Sequence, residues 1–482
     1  MNNRYDLVVL GGGPAGLTAA IEAINLGKSV LVLEKSHEVG GISKTVQIDG
    51  WRFDLGGHRF FTKVPRVTDF WNRILGPEDF LKRPRLSRIY YRGKFFDYPL
   101  KPLNALLGLG LIETCRCIYS FILAKMFPPK DQSNFEGWVI ARFGKRLYEI
   151  FFKTYTEKVW GIPTTQLSST WAAQRIKNLS LYKAVLNAFG IHGKAKIVTL
   201  IESFDYPRLG PGMMWEKCAQ MVENDKNSKV RFNEYCTSVK KQSSHLEIST
   251  NLSNYECKSI ISSIPLSELP ELLGCTSEPI LHAARDLKYR DFLTVGLVVK
   301  GENTFPDNWI YIHAPEVKVG RIQNFRSWSP DLVKPGYTFL GLEYFVNYGD
   351  SYWTLPDETL IDLAKKELNA LNLIAPERVE KGYVVRVPKA YPVYDESYAQ
   401  SVTSISQWLS QEWPDVYAVG RNGMHRYNNQ DHSMLTAMLA VENAFVGANH
   451  DLWLVNVDSD YHEVSTSRPE NSGGRSAPVF RS

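Results

Sequence analysis

The run Gly-Gly-Gly-Pro-Ala-Gly at residues 11–16 constrains the fold of this chain more than any other sequence feature. It follows a continuous apolar stretch, residues 5–10, which is typical of a buried parallel strand. It also opens a helical stretch from Pro14 to about Asn25, and a second apolar strand follows at residues 28–34. Strand, glycine turn, helix and strand in this order predict the first βαβ unit of a dinucleotide-binding domain.

The positions within this unit match the binding of an ADP group. Gly11 permits the tight turn, Gly13 lets the backbone approach a pyrophosphate, and Gly16 lets the helix pack closely on the strand. The helix N-terminus presents free N–H groups to the phosphates. Glu34 closes the second strand, where a carboxylate accepts hydrogen bonds from the ribose hydroxyls. The predicted ADP site comprises Gly11, Gly13, Pro14, Ala15, Gly16, Glu34 and Lys35.

Two further glycine pairs favour FAD over a nicotinamide dinucleotide. One pair lies at residues 40–41, and the other, at residues 56–57, precedes His58. Paired glycines bring the backbone close to a bulky planar group, which a buried isoalloxazine requires and a NAD domain does not. A late turn at Gly420 is expected to meet the ribityl and pyrophosphate region. We therefore predict non-covalently bound FAD, with further contacts from Gly41, Gly57, His58 and Gly420.

The strand and helix signals predict a discontinuous nucleotide domain, since apolar strands return in the middle and near the end of the chain. Further strands are predicted at residues 229–232, 259–264, 292–299, 337–345 and 415–420, and a last helix at 431–446. The predicted FAD domain comprises residues 1–95, 201–270 and 396–455, with a helical substrate domain at 96–200 and a β-rich substrate domain at 271–395. Residues 456–482 are rich in Ser, Gly, Pro and Arg and predict a disordered tail.

Charge and cysteine usage argue against several classes of protein. The net charge of +5 comes from 56 basic and 51 acidic residues that are spread along the chain, so no nucleic-acid partner is expected. A mild positive bias still attracts an anionic substrate. The six cysteines have no metal-ligand spacing, and we predict no metal. Few cysteines and no signal-peptide pattern indicate a reducing, cytoplasmic location.

The apolar stretch from Leu103 to Phe127 raises the question of a membrane. It contains Glu113, Arg116 and Lys125, whose charges are costly at the centre of a bilayer. We interpret it as a buried or amphipathic helix of the helical domain. Association with a membrane surface is the less favoured alternative.

Several stretches resemble one group of flavoproteins. The Gly-Gly-His loop at 53–58 and the Asn-Gln-Asp-His-Ser run at 429–433 are the most specific of them. The others are residues 85–94, 155–160, 171–175, 309–311 with Arg321, and 391–393. Together they resemble the glutathione-reductase-like flavoproteins, which include amine oxidases, protoporphyrinogen oxidase and UDP-galactopyranose mutases. Within that group the chain looks most like the mutases, especially the eukaryotic type.

The resemblance implies a fold, a chemistry and a set of site residues. It implies an α/β fold with a discontinuous Rossmann-like FAD domain, an inserted helical domain and a β-sheet substrate domain. It also implies reduced flavin, with NAD(P)H as a possible reductant, and a nucleotide-linked sugar whose ring opens and recloses. Arginines hold the diphosphate in such a site because guanidinium binds phosphate oxygens in a fork. The implied catalytic residues are His58, Arg175, Arg321 and Tyr391; Tyr98, Trp160 and Tyr311 join them as substrate contacts, and Asp431 and Ser433 as flavin contacts.

Other interpretations stay open at the level of sequence. A true oxidoreductase resembling protoporphyrinogen oxidase, amine oxidase or the desaturases is the main alternative, with residues 103–127 near its entrance. A flavin-bound carrier without turnover is a weaker one. Trp160 is compatible with simple core packing, and Arg326 competes with Arg321 for the phosphate role. The stretch from Tyr98 to Leu103 departs from the mutase pattern, which leaves the nucleotide base open. The sugar and the oligomeric state are also open.

Overall fold

The computed structural model describes residues 3–98, 100, 102–169, 202–302 and 304–456. Its strands are β1 Arg4–Leu10, β2 Val30–Glu34, β3 Thr45–Ile48, β4 Trp51–Asp54, β5 Phe80–Pro84, β6 Ser87–Tyr91, β7 Lys94–Asp97, β8 Ser203–Pro207, β9 Lys229–Phe232, β10 Cys236–Lys241, β11 Leu246–Thr250, β12 Asn254–Ser262, β13 Tyr289–Lys300, β14 Trp309–Ile312, β15 Arg321–Asn324, β16 Tyr337–Val346, β17 Val379–Pro392 and β18 Val416–Ala418. Its helices are α1 Pro14–Asn25, α2 Pro65–Ile74, α3 Pro102–Leu109, α4 Leu111–Met126, α5 Phe135–Phe143, α6 Lys145–Tyr148, α7 Thr154–Trp160, α8 Gly212–Asn224, α9 Leu269–Leu272, α10 Glu278–Asp286, α11 Phe325–Trp328, α12 Asp357–Ala370, α13 Tyr398–Glu412 and α14 Gln430–Phe445.

The first sheet has the order β10-β11-β12-β1-β2-β9, and β18 pairs with β12. Strand β1 lies between β12 and β2 and is parallel to both. Its residues alternate between two cores: Leu7 and Val9 pack with α1 and α14, whereas Val8 packs with residues of α10 and α13. Both faces of the strand are therefore buried, which explains why its apolar run is continuous rather than alternating. The predicted mixed α/β fold is confirmed.

The second sheet has the order β17-β13-β16-β15-β14-β6-β7 and is antiparallel except where β14 pairs with β6. Strands β6 and β7 belong to this sheet, although the predicted boundaries placed residues up to 95 in the FAD domain. The reason is long-range pairing, since Ser87–Tyr91 hydrogen-bonds to β14 rather than to any strand of the first sheet. The second sheet is thus built from separate parts of the chain.

Helices α3 to α7 follow β7 and share an apolar core with β6 and β7, in which Phe135, Val139 and Phe151 are buried with Ile89 and Phe96. Residues 170–201 and 457–482 lie outside the described residues, so Trp171, Arg175 and the predicted tail are not described. Within the described part of the chain, no helix combines the length and apolar character needed to cross a membrane.

Buried Asp54 joins the β3–β4 hairpin to the rest of the protein, immediately before the loop at residues 55–58. Its carboxylate accepts hydrogen bonds from Thr45 Oγ1 at 2.8 Å and from the hydroxyl of Tyr206. Thr45 Oγ1 in turn accepts one from the backbone N–H of Gly212 at 3.0 Å, at the start of α8. Burial raises the pKa of Asp54 to about 7, although both hydrogen bonds oppose the rise.

This raised pKa predicts a loss of stability as the pH rises. The folded protein holds the Asp54 proton more tightly than an unfolded chain, whose aspartate pKa is about 3.9. The contribution of Asp54 to the free energy of unfolding is therefore fully present below about pH 4. It falls toward pH 7 by at most about 1.4 kcal/mol per pH unit. Asp54→Asn should remove this slope. Urea unfolding of both proteins between about pH 4.5 and 7.5 measures the difference, and equal slopes would contradict the assignment to Asp54.

Candidate active site

The turn between β1 and α1 is an open concave stretch of backbone. A Cβ atom added to Gly16 would lie 1.9 Å from the carbonyl oxygen of Gly11, so the helix begins hard against the strand end. Gly13 is different, because the nearest atom to its would-be Cβ is Gly41 Cα at 3.9 Å. Gly13 and Gly41 are therefore neighbours, and together they leave backbone without side chains at the N-terminus of α1. Such a surface suits a diphosphate, since the helix dipole and free N–H groups favour an anion there.

Glu34 stabilises this turn from the end of β2. Its carboxylate accepts hydrogen bonds from the backbone N–H of Gly12 at 2.7 Å and of Ser36 at 2.8 Å. The N–H of Gly40 donates to Gly12 O at 2.8 Å, which closes the adjoining loop onto the turn. The Lys35 side chain lies over the ring of Tyr235 at 5.3 Å. A cofactor contact of Lys35 stays a prediction.

The turn at Gly420 lies against the turn between β1 and α1. Gly420 has a φ of +81°, and a Cβ on it would lie 3.0 Å from Ala15 Cβ and 3.9 Å from Ser433 Cβ. The N–H of Gly420 donates to Thr436 Oγ1 at 3.0 Å, which ties this turn to α14. The buried carboxylate of Asp431 accepts a hydrogen bond from Thr62 Oγ1 at 2.9 Å. Gly420, Ala15 and Ser433 thus converge at the N-terminus of α1.

The loop at residues 56–58 borders the second sheet. Gly56 has a φ of +114°, and its would-be Cβ lies 3.8 Å from Arg321 Nη2. Gly57 is solvent-exposed even though a Cβ there would lie 3.1 Å from the buried ring of Trp328. His58 is half-buried, and burial together with the cations Arg421 and Arg321 lowers its pKa to about 3. His58 is therefore a neutral imidazole at physiological pH.

Arg321 is held by a carboxylate that sequence reasoning missed. Arg321 and Glu343 are direct neighbours across β15 and β16. Arg321 Nε donates to Glu343 Oε2 at 2.8 Å, and Gln323 Nε2 donates to the other oxygen at 2.8 Å. Burial disfavours the charged form of Arg321. The negative charge of the fully buried Glu343 has the larger effect, so the pKa of Arg321 is raised well above its usual range. The guanidinium also lies 3.4 Å from the hydroxyl of Tyr391.

A wall of aromatic side chains surrounds this pair. The ring of Tyr391 stacks on Tyr427 with centroids 5.7 Å apart, and burial raises the pKa of Tyr391 to about 12. The ring of Tyr311 lies 5.4 Å from that of Tyr155 and 4.6 Å from that of Tyr98. Tyr98, Tyr311, Arg321 and Tyr391, which sequence reasoning proposed as substrate contacts, therefore lie in one connected region.

Two further arginines, Arg59 and Arg85, lie near this region and share a contact with Trp309. The guanidinium of Arg59 lies 4.7 Å from the centre of the Trp309 ring, and that of Arg85 lies 5.8 Å from it. Arg85 also donates from Nη1 to the carbonyl of Tyr98 at 3.3 Å. Sequence reasoning did not single out either arginine. Their proximity to the Gly-Gly-His loop and to Tyr98 in the sequence was the available signal.

The remaining site predictions differ in their placement. Trp160 is 2% exposed and packs near Tyr394 and Tyr427, so apolar surroundings favour a packing role over stacking on a nucleoside. Arg326 pairs with Glu302 at 2.6 Å, and the competing phosphate role is therefore not favoured for it. Arg175 lies outside the described residues.

Comparison with known proteins identifies the family. The model of flavin-containing amine oxidoreductases matches residues 14–453. The chain belongs to this family. A crystal structure of reduced UDP-galactopyranose mutase superposes with a TM-score of 0.80 at 23% identity, over 92% of this chain and 96% of that one. A putative protoporphyrinogen oxidase from Exiguobacterium superposes with a TM-score of 0.69 at 16% identity, over 92% and 99%. At these identities the two structures show a shared fold.

The curated relatives match over shorter stretches. A probable UDP-galactopyranose mutase from Klebsiella pneumoniae is 25% identical over 178 residues, which is 35% of this chain and 44% of that protein. The alignments to the curated relatives thus span between 9% and 44% of the relatives' length. Membership of the flavin-containing family makes the protein a FAD enzyme.

Proposed function

We propose that this flavoenzyme interconverts ring forms of a nucleotide-linked sugar, as a UDP-galactopyranose mutase does. The observation that carries the proposal is the grouping of Arg321, Tyr391 and Tyr311 beside the Gly56–Gly57 loop, where a Cβ on Gly56 would lie 3.8 Å from Arg321 Nη2. A charged, hydroxyl-rich wall suits a sugar diphosphate, whereas a pocket for an apolar substrate is lined mainly by apolar side chains. The structural similarity to a reduced mutase supports the same choice.

The described residues fit FAD. The side-chain-free backbone of Gly13 and Gly41 would take the diphosphate, and Glu34 at the end of β2 would receive the adenosine ribose. Gly420 and Ser433 would line the other side of the diphosphate. Gly57 and neutral His58 would lie beside the ring system, where a neutral imidazole does not repel or attract flavin charge. When bound and reduced, the cofactor would supply nucleophilic chemistry without net redox change.

The protein's own groups would bind and orient the substrate. Arg321 would hold a phosphate oxygen, with Glu343 fixing the guanidinium plane from behind. The hydroxyls of Tyr391 and Tyr311 would donate hydrogen bonds, and burial, which raises the pKa of Tyr391 to about 12, keeps the Tyr391 hydroxyl protonated. Arg59 and Arg85 would contribute positive charge on the Trp309 side. NAD(P)H is the proposed reductant, and a nucleotide-linked sugar the proposed substrate.

One observation favours an oxidoreductase as the second candidate. Glu343 neutralises Arg321, so this pair presents no net charge to a phosphate. A substrate without phosphate would be compatible with such a pair, and the fold of the putative protoporphyrinogen oxidase is also shared. This candidate predicts oxygen consumption with release of hydrogen peroxide, or turnover with an electron acceptor.

Anaerobic turnover tests the two candidates directly. The purified holoenzyme is reduced chemically and incubated with a panel of nucleotide sugars, and pyranose and furanose forms are separated by chromatography. We expect a ring-size change that requires reduced flavin and disappears in Arg321→Ala. A bound, reducible flavin that converts no sugar would overturn the mutase proposal, and peroxide release with other substrates would favour the second candidate.

A further inference from the structure

Helices α3 and α4 turn large apolar side chains toward solvent. The most exposed are Leu107 at 73%, Leu111 at 86%, Ile112 at 75%, Tyr119 at 65%, Met126 at 64% and Phe127 at 73%. On α4 the exposed apolar positions recur every three or four residues, at 112, 115, 119, 122 and 126. They therefore form one stripe along the helix. We call the exposed apolar side chains of α3, α4 and Phe127 the apolar face.

The orientation of α4 is fixed by its other side, which carries small side chains. Cys117 and Ala124 are buried there, and Ser120 Oγ accepts a hydrogen bond from the backbone N–H of Arg146 at 2.9 Å. Gly144, before α6, permits this close packing, since a Cβ on it would lie 2.7 Å from the backbone nitrogen of Phe121. The helix thus packs by its small residues and leaves its large apolar residues outside. Large contiguous apolar surfaces of this kind mark interaction sites.

The charged side chains exposed on α4 itself are basic, namely Arg116 and Lys125. Glu113 is only 17% exposed and pairs with Arg146 and Arg116, and beyond the helix Lys130 and Asp131 are both exposed. A cavity of about 390 Å³ opens beside the C-terminal end of α4. Its lining includes Lys125, Arg142, Gln132 and Pro128, with Met126 and Phe127 next in sequence.

We propose that the apolar face docks on a bilayer that contains anionic phospholipid, with a headgroup phosphate in the cavity between Lys125 and Arg142. Apolar side chains on one stripe with basic residues at its margin match the boundary between acyl chains and anionic headgroups. The sixteen residues of α4 are too few to cross a bilayer, so the helix lies in the interface. This reverses the preference drawn from the sequence, because the apolar side of the helix faces solvent. The proposal is independent of the reaction proposed above.

Flotation of the holoenzyme with lipid vesicles tests this proposal. We expect binding to vesicles of phosphatidylcholine with phosphatidylglycerol and much weaker binding to phosphatidylcholine alone. The triple variant Ile112→Ser, Tyr119→Ser, Met126→Ser should reduce the vesicle-bound fraction by about tenfold or more. The double variant Lys125→Gln, Arg142→Gln should lose the preference for phosphatidylglycerol and the sensitivity to salt.

Matched controls separate this face from general surface effects. Leu252 and Tyr348 are 66% and 77% exposed elsewhere, and the variant Leu252→Ser, Tyr348→Ser should bind vesicles as the unmodified enzyme does. If the triple variant loses its flavin or its thermal transition, Leu111→Ser alone takes its place. Absence of flotation, equal flotation of face and control variants, or a dimer that the triple variant converts to monomer without any vesicle binding would overturn the proposal. The last result would make the face a subunit interface.

Discussion

Arg321→Ala will remove both activity and much of the stability of this protein. Glu343 is fully buried. Without Arg321, the Glu343 carboxylate still accepts a hydrogen bond from Gln323, but no cation balances its charge. Breaking a buried ion pair in this way costs about 3–5 kcal/mol of unfolding free energy. Under the proposed function, loss of the phosphate contact should also lower kcat/KM for a nucleotide sugar by about 100-fold or more. Urea unfolding and anaerobic turnover measure the two effects.

Two companion variants separate stability from binding. Arg321→Met with Glu343→Leu replaces the pair by apolar groups, and its stability should return close to that of the unmodified protein while activity stays absent. Glu343→Gln keeps a hydrogen-bond acceptor but releases the positive charge of Arg321, so KM for an anionic substrate should fall. Retained turnover in the Met/Leu variant would show that Arg321 does not bind substrate. An unchanged KM in Glu343→Gln would favour a substrate without phosphate.

Local patterns predicted those parts of the fold that depend on local sequence. The bounds predicted for α1, Pro14–Asn25, and for β9, Lys229–Phe232, agree with the structure. Both are specified by residues within or next to the segment: α1 follows the glycine turn, and β9 alternates polar and apolar residues. The sheet to which β6 and β7 belong was not predicted, because it depends on pairing with β14 far along the chain. No local signal specifies such a partner.

The candidate site divides in the same way. The glycine turn could be found from sequence because its geometry is local: Gly11 adopts a positive φ, and Gly16 leaves no room for a side chain. Glu343 could not, since a single acid within the apolar strand Tyr337–Val346 gives no indication that it faces Arg321 across β15. Arg59 and Arg85 were missed for a related reason, as their shared contact is Trp309, which lies in a different part of the chain.

We expect Gly16→Ala to impair folding and Gly13→Ala to impair FAD binding, and this difference locates the cofactor. A Cβ at residue 16 would lie 1.9 Å from the carbonyl oxygen of Gly11, which is backbone and cannot move aside without displacing α1. Gly16→Ala should therefore lose several kcal/mol of unfolding free energy, on the order of an overpacked core, with or without FAD. Denaturation of the apoprotein detects this loss before any flavin is added.

Gly13→Ala should leave the apoprotein intact. Gly13 has a φ of −82°, which alanine adopts readily, and no atom lies within 3.9 Å of the added methyl group. The methyl group instead adds bulk to the side-chain-free backbone beside Gly41, where the diphosphate is proposed to lie, so FAD affinity should fall by about 100-fold or more. Flavin absorbance of the purified variant and FAD titration of its apoprotein measure this. Normal FAD affinity in a stable Gly13→Ala protein would mean that the diphosphate does not cross this turn, whereas loss of affinity with unchanged apoprotein stability can only come from the space that the cofactor needs.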